Sequence, residues 1–510
     1  MSSTARSMAR RFPIVVLMLI AGVVASCGVP AADDDIGWRT CGTDDGVSVG
    51  SLPASLDGRV TCAHIENPLD PGDRSAGTIS IAVARLQARG PREGTVVLNP
   101  GGPGGAGVAH LVATAPELAA LGLADTHDII SFDPRGVGAS RPSVRCRTDD
   151  ERDAERAADF GDRTPAGIAR IEAHQRLVAQ RCRERTGEAL LARVGTDFVV
   201  ADLDRIRGAL GIDKIAFVGH SYGTRIGIGY ARQFPSHVAG LVLDGVVDPA
   251  EDPVEASLDQ LRGFQVAFDA FADDCVRRPD CALGDRADEA VTNYQQLIRP
   301  LSDRPLRVGN RTLTGADAEN GTVAALYQES SWARLRVALR RLADGAGADL
   351  LALADRFAGR DARGHYDASQ DAFLAITCAD QPSRSAERKV YDEFDRRARD
   401  VAPFRDDGRA GGHGPIGICE SWTPAARSDA GPVSDGPFPP GVPRGLVVAA
   451  TGDPATPYPT AVEFARRVGA GFIGVDAMAH TAVFRGNRCV DAAATAYLSD
   501  LTVPRGRLVC

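Results

Sequence analysis

Lysine is almost missing from this 510-residue chain: Lys214 and Lys389 are the only two. The remaining basic residues are arginines scattered among acids, and the formal net charge is -9. Without a basic block or stripe, nothing offers a surface for a phosphate backbone, so no nucleic-acid partner is expected. The 11 cysteines include no C-x-x-C pair or other metal-ligand spacing. That argues against a structural zinc, and neither a metal nor a cofactor is expected. Beyond about residue 25 no apolar run reaches the length of a membrane span.

Hydrophobic residues at 44 % and charged residues at 25 % are the ordinary globular mix, enough to bury a sizeable core. The length fits one large domain carrying a substantial insertion. At the N-terminus, Arg6, Arg10 and Arg11 precede an apolar run from Phe12 to about Ala25, the pattern of an export signal over residues 1–26. The run ends Val24-Ala25-Ser26-Cys27, which resembles a bacterial lipobox. Cys27 is then a lipidated N-terminus and the chain's one link to a membrane; ordinary signal-peptidase cleavage nearby is the alternative. Residues 27–40 read as a tether. The predicted location is the cell envelope. Ten cysteines remain, an even number that suits disulfides in an exported chain. Pairing sequence neighbours gives Cys41–Cys62, Cys146–Cys182, Cys275–Cys281, Cys378–Cys419 and Cys489–Cys510, although spacing alone leaves the connectivity open.

Short strand signals then alternate with helical stretches. Thr78–Ala84 alternates like an early antiparallel strand. Thr95–Asn99, His127–Asp133, Lys214–Gly219 and Gly240–Asp244 are apolar runs, and Val199–Leu210 and Arg225–Gln233 read as helices. This is the pattern of an α/β fold, a mostly parallel sheet with helices on both faces. It stops after Asp248-Pro249. Residues 249–440 read as mainly helical, with helical spacing from Leu326 to Leu342 and a Gly/Pro-rich return over 411–440. Strands resume at Gly445–Ala450 and Gly471–Val475. The core is thus expected over 41–248 and 441–510, with 249–440 inserted.

The strongest chemical signal is Gly219-His220-Ser221-Tyr222-Gly223, a G-x-S-x-G between a strand and a helix. That is the setting of a nucleophile elbow, where small residues flank a serine lifted clear of the sheet at a helix N-terminus. The serine needs a base, and the base needs an acid, in the chain order Ser, acid, His. His480 follows the last strand signal, and Asp453 follows the strand Gly445 to Thr451. His237 leaves too little room for an intervening acid, and His365 and His413 fall in the insertion. Asp476 is the rival acid. Thr456-Pro457 reads as an N-cap and first helical residue. The backbone N–H of Tyr222 is one expected oxyanion donor, and the loop Asn99–Gly107 supplies the other, with Gly102 first and Gly101 second. The same loop matches G-x-G-x-x-G, but Pro100 and Pro103 stiffen it against wrapping a pyrophosphate.

Asn99–Gly107, Asp133-Pro134-Arg135-Gly136-Val137-Gly138-Ala139-Ser140, the elbow, Asp453–Pro457 and His480 together resemble the proline iminopeptidase and tripeptidyl-aminopeptidase family of α/β-hydrolases. Ala375–Asp380, Cys419, Cys489, Tyr497-Leu498 and Cys510 are similar to the tripeptidyl-aminopeptidase C-terminal region. The resemblance runs from about Cys62 to Cys510. It implies that the insertion is a helical cap over a serine hydrolase site, acting on a peptide near its free N-terminus or on an ester. Ala479 stands where a glycine commonly precedes the histidine. An exopeptidase needs an acid for the substrate amine, and Glu329, Asp380 and Glu420 are candidates, although each is more readily read as a surface acid or a local ion pair.

Overall fold

The computed structural model describes residues 36–47, 52–158, 160–381, 387–409, 413–422, 436–504 and 506–510. The export-signal reading, Cys27 and much of the Gly/Pro-rich return fall outside these. One sheet of ten strands organises the core. In chain order its strands are β1 (Arg39–Thr40), β2 (Val60–Asp70), β3 (Asp73–Leu86), β4 (Gly94–Asn99), β5 (His127–Phe132), β6 (Ile215–His220) and β7 (Val238–Asp244). A separate hairpin, β8 (Leu306–Val308) with β9 (Arg311–Leu313), follows; β10 (Leu446–Ala450), β11 (Gly471–Val475) and β12 (Arg507–Val509) complete the main sheet. Their spatial order is β1-β2-β3-β5-β4-β6-β7-β10-β11-β12. The pairs β1–β2, β2–β3 and β3–β5 are antiparallel, and every pair from β5 to β12 is parallel.

The central strands are apolar at nearly every position because both faces are covered. Alternate residues still divide between the two sides. Val97, Phe217, Leu243 and Val447 face one core layer, packed with the helices Thr196–Ala209, Tyr222–Gln233 and Tyr458–Val468. Val96, Val218, Val242 and Val448 face the other, packed with the helices Gly107–Ala120 and Arg488–Asp500.

Between β7 and β10 lie eight α-helices among the described residues, together with the β8–β9 hairpin. Phe264, Phe268, Phe271, Tyr294, Trp332, Leu335 and Phe404 form a third apolar core there, separate from the sheet. The helix Ser369–Asp380 is an exception, because Ala372, Ala375 and Ile376 pack into the sheet's own layer. The single helical run expected from Leu326 to Leu342 is broken. One helix, Gly315–Leu326, ends where the run begins, and another, Trp332–Ala343, starts after an extended Gln328. All ten described cysteines pair, as Cys41–Cys62, Cys146–Cys182, Cys275–Cys281, Cys378–Cys419 and Cys489–Cys510.

Candidate active site

The strands β6, β7, β10 and β11 are successive parallel neighbours, so their C-terminal ends share one edge of the sheet. Ser221 directly follows β6, Asp453 lies just beyond β10, and His480 lies just beyond β11. Ligand sites in such sheets form at this edge.

Ser221 has φ 54° and ψ -127°, a conformation a non-glycine residue adopts only when its surroundings impose it. Its neighbours do so. A Cβ on Gly219 would collide with the backbone of Gly223, and one on Gly223 would sit 2.7 Å from Asn99 O. The Ser221 amide donates to Asp244 O at 2.8 Å, while Ser221 O accepts from Thr224 N at 2.8 Å and Thr224 Oγ1 at 2.6 Å. The helix Tyr222–Gln233 starts immediately behind, so the Tyr222 amide has no carbonyl one turn back and is left for a ligand oxygen. In the facing loop the Gly101 amide is taken by Asn99 Oδ1 at 3.0 Å. Gly102 is exposed at φ 114°, and its amide bonds to no described residue. Gly102 and Tyr222 therefore present the open amides.

His480 points Nδ1 at Asp453, 2.9 Å from Oδ1 and 3.0 Å from Oδ2. Asp453 also accepts from Ala455 N and Thr456 N at 2.9 Å, Thr456 Oγ1 at 2.8 Å and Thr481 N at 3.4 Å. Every one of these partners is a donor, a set that an acceptor-only carboxylate satisfies. With Nδ1–H held by the carboxylate, the lone pair of neutral His480 falls on Nε2, the nitrogen a general base uses. The Asp453 side chain is fully buried and that of His480 is 12 % exposed. Among the described residues no hydrogen bond ends on Ser221 Oγ; unliganded sites often hold this contact long.

Thr456 corrects the sequence reading. The helix starts at Tyr458 with Pro457 as its N-cap, and the Thr456 hydroxyl turns to Asp453 instead, 3.3 Å from His480 Nδ1. The carboxylate captures the hydroxyl before the helix amides can. Asp476 is exposed and takes a hydrogen bond from Thr451 at 3.3 Å, away from the ring. His237, His365 and His413 pair with Asp204, Asp149 and Asp392 respectively.

Two buried carboxylates were not singled out from sequence. Asp133, in the Asp-Pro-Arg-Gly segment, receives the amides of Val108 and Ala139 and so ties down the helix that follows the glycine loop; burial pushes it up to about 6 despite those donors. Asp244 receives Ala482 N and Val483 N, both at 2.8 Å, and burial likewise pushes it up to about 6. His220 beside it donates to Val483 O at 3.0 Å, and burial lowers it to about 3, so it stays neutral. Both carboxylates end apolar strand signals, the feature that could have marked them.

The candidate amine-binding acids separate. Asp380 is engaged by Thr196 N, Thr196 Oγ1 and Tyr222 OH at 2.7, 2.6 and 2.9 Å, so it braces the elbow through the Tyr222 side chain. Glu420 accepts from Tyr391 OH at 2.9 Å. Glu329 is exposed, its carboxylate meets no described partner, and its amide donates to Met478 O, two residues before His480.

Residues 94–365 match a family described as the alpha/beta hydrolase fold, and residues 407–510 match one described as TAP-like protein. The chain is 39 % identical to the serine protease Hip1 of Mycobacterium tuberculosis over 500 residues, 96 % of this chain and 94 % of that one. It is 43 % identical to carboxylesterase B of the same organism over 452 residues, 88 % and 86 % of the two chains. Identity to the tripeptidyl aminopeptidase of Streptomyces coelicolor is 30 %, over 92 % of this chain and 84 % of that one.

Proposed function

The chain belongs to the α/β-hydrolase family with a TAP-like C-terminal region, and from that premise we propose that it is a serine peptidase acting near free N-termini. The observation that carries the reading is the buried Asp453–His480 pair on the same sheet edge as the strained Ser221. Ser221 Oγ attacks the scissile carbonyl as His480 Nε2 takes its proton. The oxyanion forms against the amides of Gly102 and Tyr222. His480 then returns the proton to the leaving amine, and water, deprotonated by the same imidazole, releases the acyl group and restores the serine. Asp453 holds the ring and stabilises its transient positive charge.

Glu329 is the carboxylate we assign to the substrate ammonium, since the other two candidates already have partners. Similarity to a serine protease and to a tripeptidyl aminopeptidase favours peptides, while the 43 % identity to carboxylesterase B favours a second reading, ester hydrolysis by the same groups. Five disulfides support export, with Cys27 as the proposed lipid anchor.

Free and N-acetylated versions of one tripeptidyl amide separate the two activities. Acetylation removes the charge that Glu329 would pair, so the peptidase reading predicts a fall in kcat/KM of roughly tenfold to a thousandfold. Equal rates on both substrates, or rates well below those on short acyl esters, would favour the esterase.

A further inference from the structure

The loop that carries His480 has no regular structure of its own and is strained: Thr481 has φ 65° and Phe484 φ 58°. Such a loop keeps one shape only if its surroundings over-determine it. On its C-terminal side, Asp244 holds the amides of Ala482 and Val483, and Asp491 holds those of Phe484 and Gly486. On its N-terminal side the support comes from the insertion.

There the helical run is interrupted at Tyr327-Gln328-Glu329. Gln328 is fully extended, φ -147° and ψ 127°, and forms an antiparallel bridge with Ala479. His480 N donates to Tyr327 O at 2.8 Å, and Glu329 N donates to Met478 O at 3.0 Å. The Gln328 side chain then reaches past the bridge, its Nε2 donating to His480 O at 2.9 Å. The Tyr327 ring stands edge-on to the imidazole with centroids 5.5 Å apart. Breaking a helix forgoes its own hydrogen bonds, and these contacts with the base-bearing loop replace them. The extended register also accommodates Ala479 without a positive φ, so the bridge needs no glycine before the histidine.

The insertion grips the acid in the same way. Gln260 Nε2 donates to Ala455 O at 3.1 Å, and Gly263 lets its helix lie against Pro454, where a Cβ would come within 2.5 Å of the carbonyl oxygen. Acid and base are thus both tied to one body outside the sheet.

We propose that Gln328 is a positioning residue for the reaction: through the carbonyl of His480 it fixes where the imidazole stands relative to Ser221, and the insertion to which it belongs is a fixed brace of the catalytic pair. The inference rests on His480 being the base. A base must be held within about 0.5 Å of its productive place, so loss of this one contact lowers the rate of chemistry more than it lowers stability.

The test compares the full chain with Gln328→Met, of similar length with no donor, and Gln328→Lys, which keeps one. The rate constant for inactivation by a fluorophosphonate reads the Ser–His machinery whatever the natural substrate is, and thermal midpoints are taken alongside. Gln328→Met should react about tenfold more slowly, with a midpoint within about 3 °C of the parent, and Gln328→Lys should recover most of the rate. A Met variant as fast as the parent would overturn the proposal, as would Met and Lys variants slowed alike. His480→Ala run in parallel tests the base itself: if it reacts as fast as the parent, the base assignment fails, independently of what Gln328 does.

Discussion

Asp244 holds Ser221 with its backbone and the loop beyond His480 with its side chain: its carbonyl accepts from Ser221 N at 2.8 Å, and its Oδ2 accepts from Ala482 N and Val483 N. Its second oxygen, Oδ1, is buried and meets no hydrogen-bond donor among the described residues. Asn is close in shape and keeps an oxygen for the two amides, at the pH-independent cost of an NH2 that meets no described acceptor. Burial raises the folded-state carboxyl to about 6 from 3.8, so its charged form costs stability. That cost is absent below about pH 4 and grows as the pH rises through 6, reaching about 3 kcal/mol for a two-unit shift. Asp244→Asn removes it. The thermal midpoint of the variant relative to the parent should therefore be higher at pH 8 than at pH 4. Asp244→Ala, which leaves two buried amides unpaired, should lose stability at both.

Thr456 supplies Asp453 with its only hydroxyl donor among the described residues. Thr456→Val keeps the shape and removes that donor. The predicted result is a fall of about tenfold in kcat with KM little changed, because the carboxylate then holds the imidazolium less firmly. Steady-state kinetics on one ester substrate check this; a variant that changes KM alone would place Thr456 at the substrate.

Acid sensitivity should come from outside the sheet. Burial would raise Glu155, but His174, whose Nε2 lies 3.5 Å away, and the hydrogen bonds and charge of Arg147 outweigh it and bring it down to about 2 from 4.5. The stability this gives is present above about pH 4.5 and is lost as the pH falls through 2. Arg147 also binds Asp371 at the start of the helix Ser369–Asp380, so the network fastens the inserted segment to the core. Glu155→Gln should flatten the stability curve between pH 4.5 and 2 by about 1–2 kcal/mol, after allowance for the partial exposure of the pair. Chemical denaturation at pH 3 and pH 6 measures it.

What could be read from sequence followed from burial. Strands β4, β5, β6, β7, β10 and β11 are covered on both faces and so appear as apolar runs. Strand β2, second from the edge, was missed because His64, Glu66, Asn67 and Pro68 interrupt its pattern, and β12 is only three residues long. The placement of Ser221, Asp453 and His480 along the chain followed from strand ends. Contacts between distant segments were not legible. The break at Gln328 is caused by a loop some 150 residues later, and Thr456 carries a cap signature that a carboxylate three residues earlier overrides.

The disulfide Cys378–Cys419 closes a loop with a sequence separation of 41 and fixes the C-terminal end of the helix that ends at Asp380, the brace of Tyr222. Replacing both cysteines by Ala should cost about 3–4 kcal/mol. Because Asp380 lies two residues from the bond, the double variant should also label more slowly with a fluorophosphonate; unchanged stability and labelling would show that the bond is dispensable.

The central claim is that Ser221 is the nucleophile of this chain. Fluorophosphonate treatment followed by peptide mass spectrometry should find a single adduct, on Ser221, and Ser221→Ala should abolish both the adduct and turnover of ester and peptide substrates. An adduct on another residue, or undiminished turnover by Ser221→Ala, would contradict the account.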